Sequence, residues 1–420
     1  MKKTLIIIYP YKFTDFLWTL LELDEFKKHV NIQVWDISKI INAKFSNSIS
    51  ANNSNKNEIL HITKISDFIR QIFQVQKKIE VANICFLNEI PVNLPFGFLC
   101  NFIFGFIIKG KGIKVFDLFN AGIPLDYKNT ASISSSSLKK EKLHKLINFV
   151  IKKKSYKEII FEINAQVLNL ISRYLPKVLT HRLVAGLQWE KYCEDIQKKS
   201  SITLVKGHSH DYSAYLLARD KLLNCDQNFF ESRETSQSVF LSSPNPRFAS
   251  DSNLTQKKNE WTCDVWYPSL CHFLDNLEEK FCCTVKIAGH YKSKFQPKDP
   301  LFGGRDVIYG ATQKLIEHSN FVISMASTAT SFAVIYRKPL IFIYSNQVSK
   351  NLSAMHDIKG MAQKFGIVPI NIDEELSIDS INLEVIEDLY VAYERDFLTS
   401  TPLGRPNFQI ILEDIINIPN

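Results

Sequence analysis

The sequence predicts an α/β protein with two Rossmann-like domains facing across a cleft and a helical tail at the carboxyl end. Three observations lead there. The chain has 420 residues, too many for one ordinary domain at roughly 150 residues each. It is 45% hydrophobic and 22% charged with 14 Gly and 15 Pro, enough to bury sizeable cores and unlike fibrous or low-complexity chains. Short β-branched runs alternate twice with longer helical patterns, as in parallel sheets covered on both faces. We expect domains over 1–200 and 201–375, and a tail over 376–420 that packs back on them.

In chain order, Met1-Lys2-Lys3 followed by Leu5 to Ile8 looks like the start of a signal peptide, but Pro10 and Lys12 end the apolar run too early. It reads as a first buried strand, Thr4 to Tyr9. Asn31 to Trp35, Val81 to Leu87 and Ile113 to Phe116 are the next strand candidates. Phe45 to Asn57, rich in Ser and Asn, reads as a mobile surface loop. Phe96 to Ile108 is too short to span a bilayer and suits a core helix. From Ser134 to Glu158, eight lysines surround Leu143, Leu146, Ile147 and Val150 at helical spacing. This is either the solvated face of a core helix or a basic amphipathic helix for anionic lipid.

The second alternation begins near Ser201. Strand candidates are Ile202 to Val205, Ser238 to Leu241, Thr284 to Ala288, Phe321 to Ser324 and Leu340 to Tyr344. Tyr212 to Leu223, Trp266 to Lys280, Tyr309 to His318 and Thr328 to Tyr336 read as helices. Ser242 to Glu260 reads as a loop, and Leu383 to Leu398 and Phe408 to Ile416 as tail helices. Two such sheets bind ligands at their carboxyl edges.

The charge balance, 51 basic against 43 acidic side chains or +8, suits an anionic substrate or membrane surface and falls short of a nucleic-acid-binding face. There is no GxxxxGK[ST] loop. The eight cysteines lack CxxC pairs and zinc spacing, which fits reduced thiols in a cytoplasmic protein.

Chemistry concentrates in the second half. After the strand ending at Ser324, the hydroxyls of Ser327, Thr328 and Thr330 open a helix. Free N–H groups at a helix start, with hydroxyl donors, make an anion site suited to phosphate; the structural alternative is simple N-capping. Upstream, Lys286 lies in a strand and His290 just past its end, and Gly304-Arg305 follows in a loop. An imidazole and a guanidinium there would neutralise a leaving phosphate.

The run from Lys286 through Pro339 resembles the nucleotide-binding half of bacterial GT-B glycosyltransferases that build surface polysaccharides, especially retaining β-Kdo transferases that use CMP-Kdo. The matching features are Ala288-Gly289-His290-Tyr291 for the family's alanine-histidine-proline turn, Gly304-Arg305, Ser327-Thr328, and Ala333 to Pro339. Gly207 to Leu216, with His208-Ser209-His210-Asp211-Tyr212, is similar to the family's histidine-serine-x-aspartate-tyrosine segment. The likeness covers about 140 residues, Ser201 to Tyr344. Tyr291 stands in place of the family's proline, and Ser242 in place of an aspartate that would be the covalent nucleophile.

The resemblance implies a GT-B-like arrangement and transfer of an acidic sugar such as Kdo from its CMP-linked donor to a surface polysaccharide or lipid-linked glycan. The cysteines lead us to expect a cytoplasmic protein, and the lysine-rich run raises peripheral contact with the cytoplasmic face of the inner membrane. Asp211, Glu162, His208 and His290 are the catalytic candidates. Glu162 is included because an acid within the apolar run Ile159 to Ile163 would have a raised pKa. Arg305, Ser327, Thr328, Thr330 and Lys286 are the donor-binding candidates. No Asp-x-Asp metal signature is present, so no metal and no cofactor beyond the donor substrate are expected. The competing readings are another two-Rossmann nucleotide-sugar enzyme, an epimerase or pyruvyl transferase, and a non-catalytic assembly protein, the latter raised by Ser242 and Tyr291.

Overall fold

The buried β-branched runs become the strands of two separate parallel sheets in the computed structural model, which describes residues 2–48, 56–119, 167, 168, 171, 176–197, 201–223, 236–248, 261–374 and 381–418. The first domain runs β1 (Thr4–Tyr9), α1 (Asp15–Leu20), α2 (Leu23–His29), β2 (Asn31–Asp36), α3 (Ser38–Ser48), β3 (Ile59–His61) and α4 (Ile65–Lys78). It continues with β4 (Ile84–Asn88), α5 (Pro95–Ile108), β5 (Lys114–Phe119), β6 (His181–Ala185), α6 (Leu187–Gln197) and β7 (Thr203–Gly207). These strands form one parallel sheet in the order β3-β2-β1-β4-β5-β6-β7.

The second domain follows α7 (His210–Leu223) with β8 (Gln237–Leu241), α8 (Cys263–Phe281), β9 (Thr284–Ala288), β10 (Val307–Ile308), α9 (Thr312–Glu317) and β11 (Val322–Ser324). Then come α10 (Thr330–Ile335), β12 (Leu340–Tyr344), α11 (Leu352–Lys364) and β13 (Ile370–Asn371). The sheet order is β10-β9-β8-β11-β12-β13, again parallel. Two Rossmann-like sheets with helices on their faces and a helical tail make the fold GT-B-like. Burial on both faces explains why the central strands are uninterrupted apolar runs: Leu5 to Ile8 and Leu340 to Ile343 are all buried.

The tail consists of α12 (Glu387–Tyr393), wound on as a π-helix through Leu398, and α13 (Asn407–Ile410), wound on through Ile416. Tyr390, Tyr393, Phe397 and Leu398 enter the core of the second domain, whereas Phe408, Ile411, Leu412 and Ile415 enter that of the first. The crossing between them is fastened at β7. Ser209 N–H donates to the Leu398 carbonyl at 2.7 Å and Ser400 N–H to that of Gly207 at 3.0 Å.

Three expectations need correction. The strand near Ser201 pairs with β6 and closes the first sheet, so the sheets divide after Gly207, with α7 leading to the second. The polar run after Phe45 begins inside α3, because Phe45 itself is buried. The helix at Phe96 is buried on one side only. Glu162, Cys225 and the lysine-rich run from Ser134 to Glu158 lie outside the described residues. Seven described cysteines are free thiols. Among the described residues no helix is long and apolar enough to cross a membrane.

Candidate functional site

Each sheet has one point where the chain reverses its direction of strand addition, and open α/β folds bind ligands outside the carboxyl ends there. In the first sheet the point lies between β1 and β4, in the second between β8 and β11. The segments leaving these ends meet across the interdomain cleft. Phe16, on α1 after β1, stacks on Tyr291, which follows β9, with ring centroids 4.4 Å apart and planes 8° from parallel. Tyr291 thus has a physical use for the position that the resembling family fills with proline.

On the second domain, Ser242 closes β8. Its hydroxyl donates to the Ala288 carbonyl at 2.9 Å and accepts from the His290 N–H at 3.1 Å. The His290 ring stacks on Tyr291, and its Nδ1 accepts from the Lys292 N–H at 3.1 Å. In the neutral ring this leaves the proton on Nε2, making that atom a donor. Gly289 permits the turn: a Cβ there would lie 2.5 Å from the Tyr309 ring, whose hydroxyl accepts from the Phe295 N–H at 2.7 Å.

Ser327 and Thr328 follow the carboxyl end of β11, which lies two strands along the sheet from β9, the strand that leads to His290. The loop folds on itself. Ser327 Oγ accepts from the Ala329 N–H at 3.2 Å, and the N–H groups of Thr330 and Ser331 donate to the carbonyls of Ser327 and Thr328. A phosphate here would therefore meet the hydroxyls of half-buried Ser327 and exposed Thr328, not the open helix start expected from the sequence. Thr330 is buried, with its hydroxyl 3.4 Å from that of Ser324, and acts within the core.

Basic side chains gather at the cleft from both domains. Burial, with the like charges of Lys294 and Lys39, holds the Lys12 ammonium below its ordinary pKa while Asp36 opposes them. Burial raises the Tyr11 phenol above its ordinary pKa, and Lys292 lies close enough to oppose part of that rise. Lys12 and Lys39 belong to the first domain, Lys292 and Lys294 to the second. This cluster takes the place expected of Arg305, whose side chain is buried and faces away. Arg305 pairs with Asp275 and, at 2.5 Å, with Glu278, both on α8. Lys286 lies mid-strand in β9, on the sheet face and short of the carboxyl edge.

The acid at the first switch point is Glu89, which follows β4. One carboxylate oxygen accepts from the Leu118 N–H at 3.0 Å. Burial, and then the charge of Asp117, push its pKa up to about 8, against the pull of that hydrogen bond and of Arg182. Tyr9, raised well above the ordinary phenol range by burial, has Tyr291 and Glu89 among the groups that add to the rise. Glu89 is thus near the groups that cross the cleft. Sequence reasoning missed it, although an acid just past a buried strand adjoining β1 satisfies the switch-point rule.

Asp211 begins α7, whose first turns pack between α1 and α10. Burial raises its pKa to about 7, opposed by a hydrogen bond with the Ser331 side chain. It braces the Ser327–Thr330 segment from behind. His208 is fully buried: Nδ1 lies 2.8 Å from the Thr399 hydroxyl and Nε2 2.9 Å from the Arg405 carbonyl. With both ring nitrogens engaged by the tail, it is a fastening residue and not a catalytic one. Among the described residues no cluster of three or more His, Cys, Asp or Glu could hold a metal.

No family model and no curated protein matches the chain. Solved structures do resemble it along its length. UDP-GlcNAc 2-epimerase from Neisseria meningitidis bound to UDP-GlcNAc shares 11% identity over 99% of this chain and 100% of its own, with a TM-score of 0.44. The Methanocaldococcus jannaschii UDP-GlcNAc 2-epimerase in complex with UDP-GlcNAc and UDP gives 11%, 98%, 99% and 0.47. Arabidopsis thaliana UGT89C1 complexed with UDP gives 8%, 99%, 100% and 0.48. At such distances the chemistry of this chain must be read from its own residues.

Proposed function

We propose that this protein is a glycosyltransferase that moves an acidic sugar, Kdo or a relative, from its CMP-linked donor to a surface polysaccharide or lipid-linked glycan. The observation that carries the reading is the gathering of lysines from both domains, Tyr291 beside His290, and Glu89 where Phe16 stacks on Tyr291, with the Ser327–Thr328 hydroxyls following another strand of the same sheet as His290. The donor contributes a phosphodiester and an acidic sugar contributes a carboxylate, so a cleft with cations on both walls suits it.

In this reading the phosphate lies between Ser327, Thr328 and the lysines, and His290 Nε2–H donates to an oxygen that gains charge as the bond breaks. The bond from the anomeric carbon to phosphate oxygen breaks, its electrons leaving on CMP. The acceptor hydroxyl oxygen forms the new glycosidic bond, and its proton passes to ionised Glu89, a base matched to pH near 8. The Ser242 hydroxyl is occupied by Ala288 and His290, so we assign it to positioning His290. Transfer then needs no covalent intermediate at the end of β8. Asp211 positions the hydroxyl loop.

The test is a donor screen with the full chain: CMP-Kdo, other CMP-sugars and UDP-sugars, following nucleotide release with and without acceptor glycan. Release from a CMP-linked acidic sugar that depends on acceptor supports the proposal. Conversion of a UDP-sugar without acceptor would instead assign the cleft to epimerisation, and binding without turnover to an assembly role.

A further inference from the structure

Helix α5 contains no charged side chain along its fourteen residues. One side is core, with Cys100, Phe104 and Ile108 buried among Trp35, Phe86 and their neighbours. The other presents Phe96, Leu99, Phe102 and Phe106 to solvent, at 51%, 38%, 47% and 75% exposure. Their spacing of three, three and four residues places them in a single stripe. On the packed neighbour α4, Phe73 is exposed as well. Scattered exposed apolar residues are ordinary, but a continuous phenylalanine stripe marks an interaction surface.

The charges at the carboxyl end of the stripe are mostly lysines, while Asp67 and Arg70 pair with each other earlier on α4. Lys77 and Lys78 end α4, and Lys109 and Lys111 follow α5, all four exposed. Lys111 Nζ donates to Gln76 at 2.5 Å, which ties the two helix ends together and gathers these ammonium groups at one end of the stripe. The nearest following acid, Glu80, accepts from Asn83 at 3.1 Å. A protein partner is ordinarily met by a core of mixed anchors within a hydrogen-bonding rim. A face of bare phenylalanine with lysines at its end has the chemistry of the headgroup boundary of an anionic bilayer.

We propose that the α5 face docks the protein on an anionic lipid surface, with the phenylalanines at the acyl boundary and the lysines on headgroup phosphates. The docking is independent of the proposed transferase activity. One consequence does rest on that reading: α5 leaves the β4 loop that carries Glu89, so the Phe96 end of the stripe lies at the rim of the cleft, where a lipid-linked acceptor would enter.

The experiment is co-sedimentation of the full chain, without nucleotide, with vesicles of phosphatidylcholine alone or mixed with phosphatidylglycerol. The wild type should bind the mixed vesicles in a salt-sensitive way. Phe102→Glu with Phe106→Glu should lower partitioning by at least about tenfold, and Lys109→Gln or Lys111→Gln by roughly fivefold each, with unchanged thermal midpoints. Phe96→Ser with Phe106→Ser provides a milder pair with the same expected direction. Absence of wild-type binding, or equal binding by the phenylalanine variants, overturns the proposal. So does a result in which those variants only convert a self-associated wild type to monomer, which would make the face a self-interface.

Discussion

Mild acid should loosen the joint between the tail and the first domain, and His208 sets how much. Burial lowers the His208 pKa from the ordinary 6.5 to about 4, the hydrogen bond to Arg405 only partly opposing it. Between those values the unfolded chain binds a proton that the folded chain does not. Stability from this group is therefore complete above about pH 6.5 and is lost as pH falls toward 4. At pH 5.5 a shift of this size costs about 1.4 kcal/mol relative to pH 7.5, and only slightly less with a folded value of 5. His210 pulls the same way, since burial also holds it at about 4. Urea unfolding at the two pH values, followed by tryptophan fluorescence, measures the loss. His208→Gln, though less stable at pH 7.5 by about 1–3 kcal/mol for its lost tail contacts, should show a pH-dependent loss smaller than wild type by that 1.4 kcal/mol. Equal losses in both proteins, or an imidazole that titrates near 6.5 in the folded wild type, would show that His208 does not carry the acid sensitivity.

Other outcomes follow from the cleft. Arg305→Ala leaves two carboxylates on α8 without their partner and should lower stability by about 1–3 kcal/mol, measured by thermal unfolding, with nucleotide-sugar affinity unchanged. Gly289→Ala should push Tyr309 off the His290 turn, costing about 1–3 kcal/mol in the same assay and weakening donor binding in titration calorimetry. Lys12→Ala with Lys294→Ala should weaken binding of an anionic donor about tenfold at low salt and less at high salt, because the lysines act from the rim of the cleft.

The strands buried on both faces were legible residue by residue: Thr4–Tyr9, Thr284–Ala288 and Leu340–Tyr344 stand where the apolar runs predicted them. β6 was missed because His181 and Arg182 make it look like a turn. Without β6, nothing local shows that Thr203–Gly207 belongs to the first sheet, since strand pairing is decided by partners far away in sequence. The same limit governs the site. His290, Ser327 and Thr328 were legible because they follow strong strands. Arg305 was misread because the acids that hold it lie 27 and 30 residues earlier, on one face of α8. His208 was misread because its partners come from the tail, more than 190 residues away. Glu89 looks like any surface acid until Asp117 and the burial around it are seen.

Whether the cleft transfers a sugar with Glu89 as the base is read from kcat/KM for the accepted donor and acceptor across pH 6 to 9, in wild type and Glu89→Gln. The wild-type value should rise with pH and level off above about 8. Glu89→Gln should bind donor normally, turn over roughly 10² to 10⁴ times more slowly, and lack that inflection. A Glu89→Gln enzyme with wild-type rate and the same pH profile would exclude Glu89 as the base.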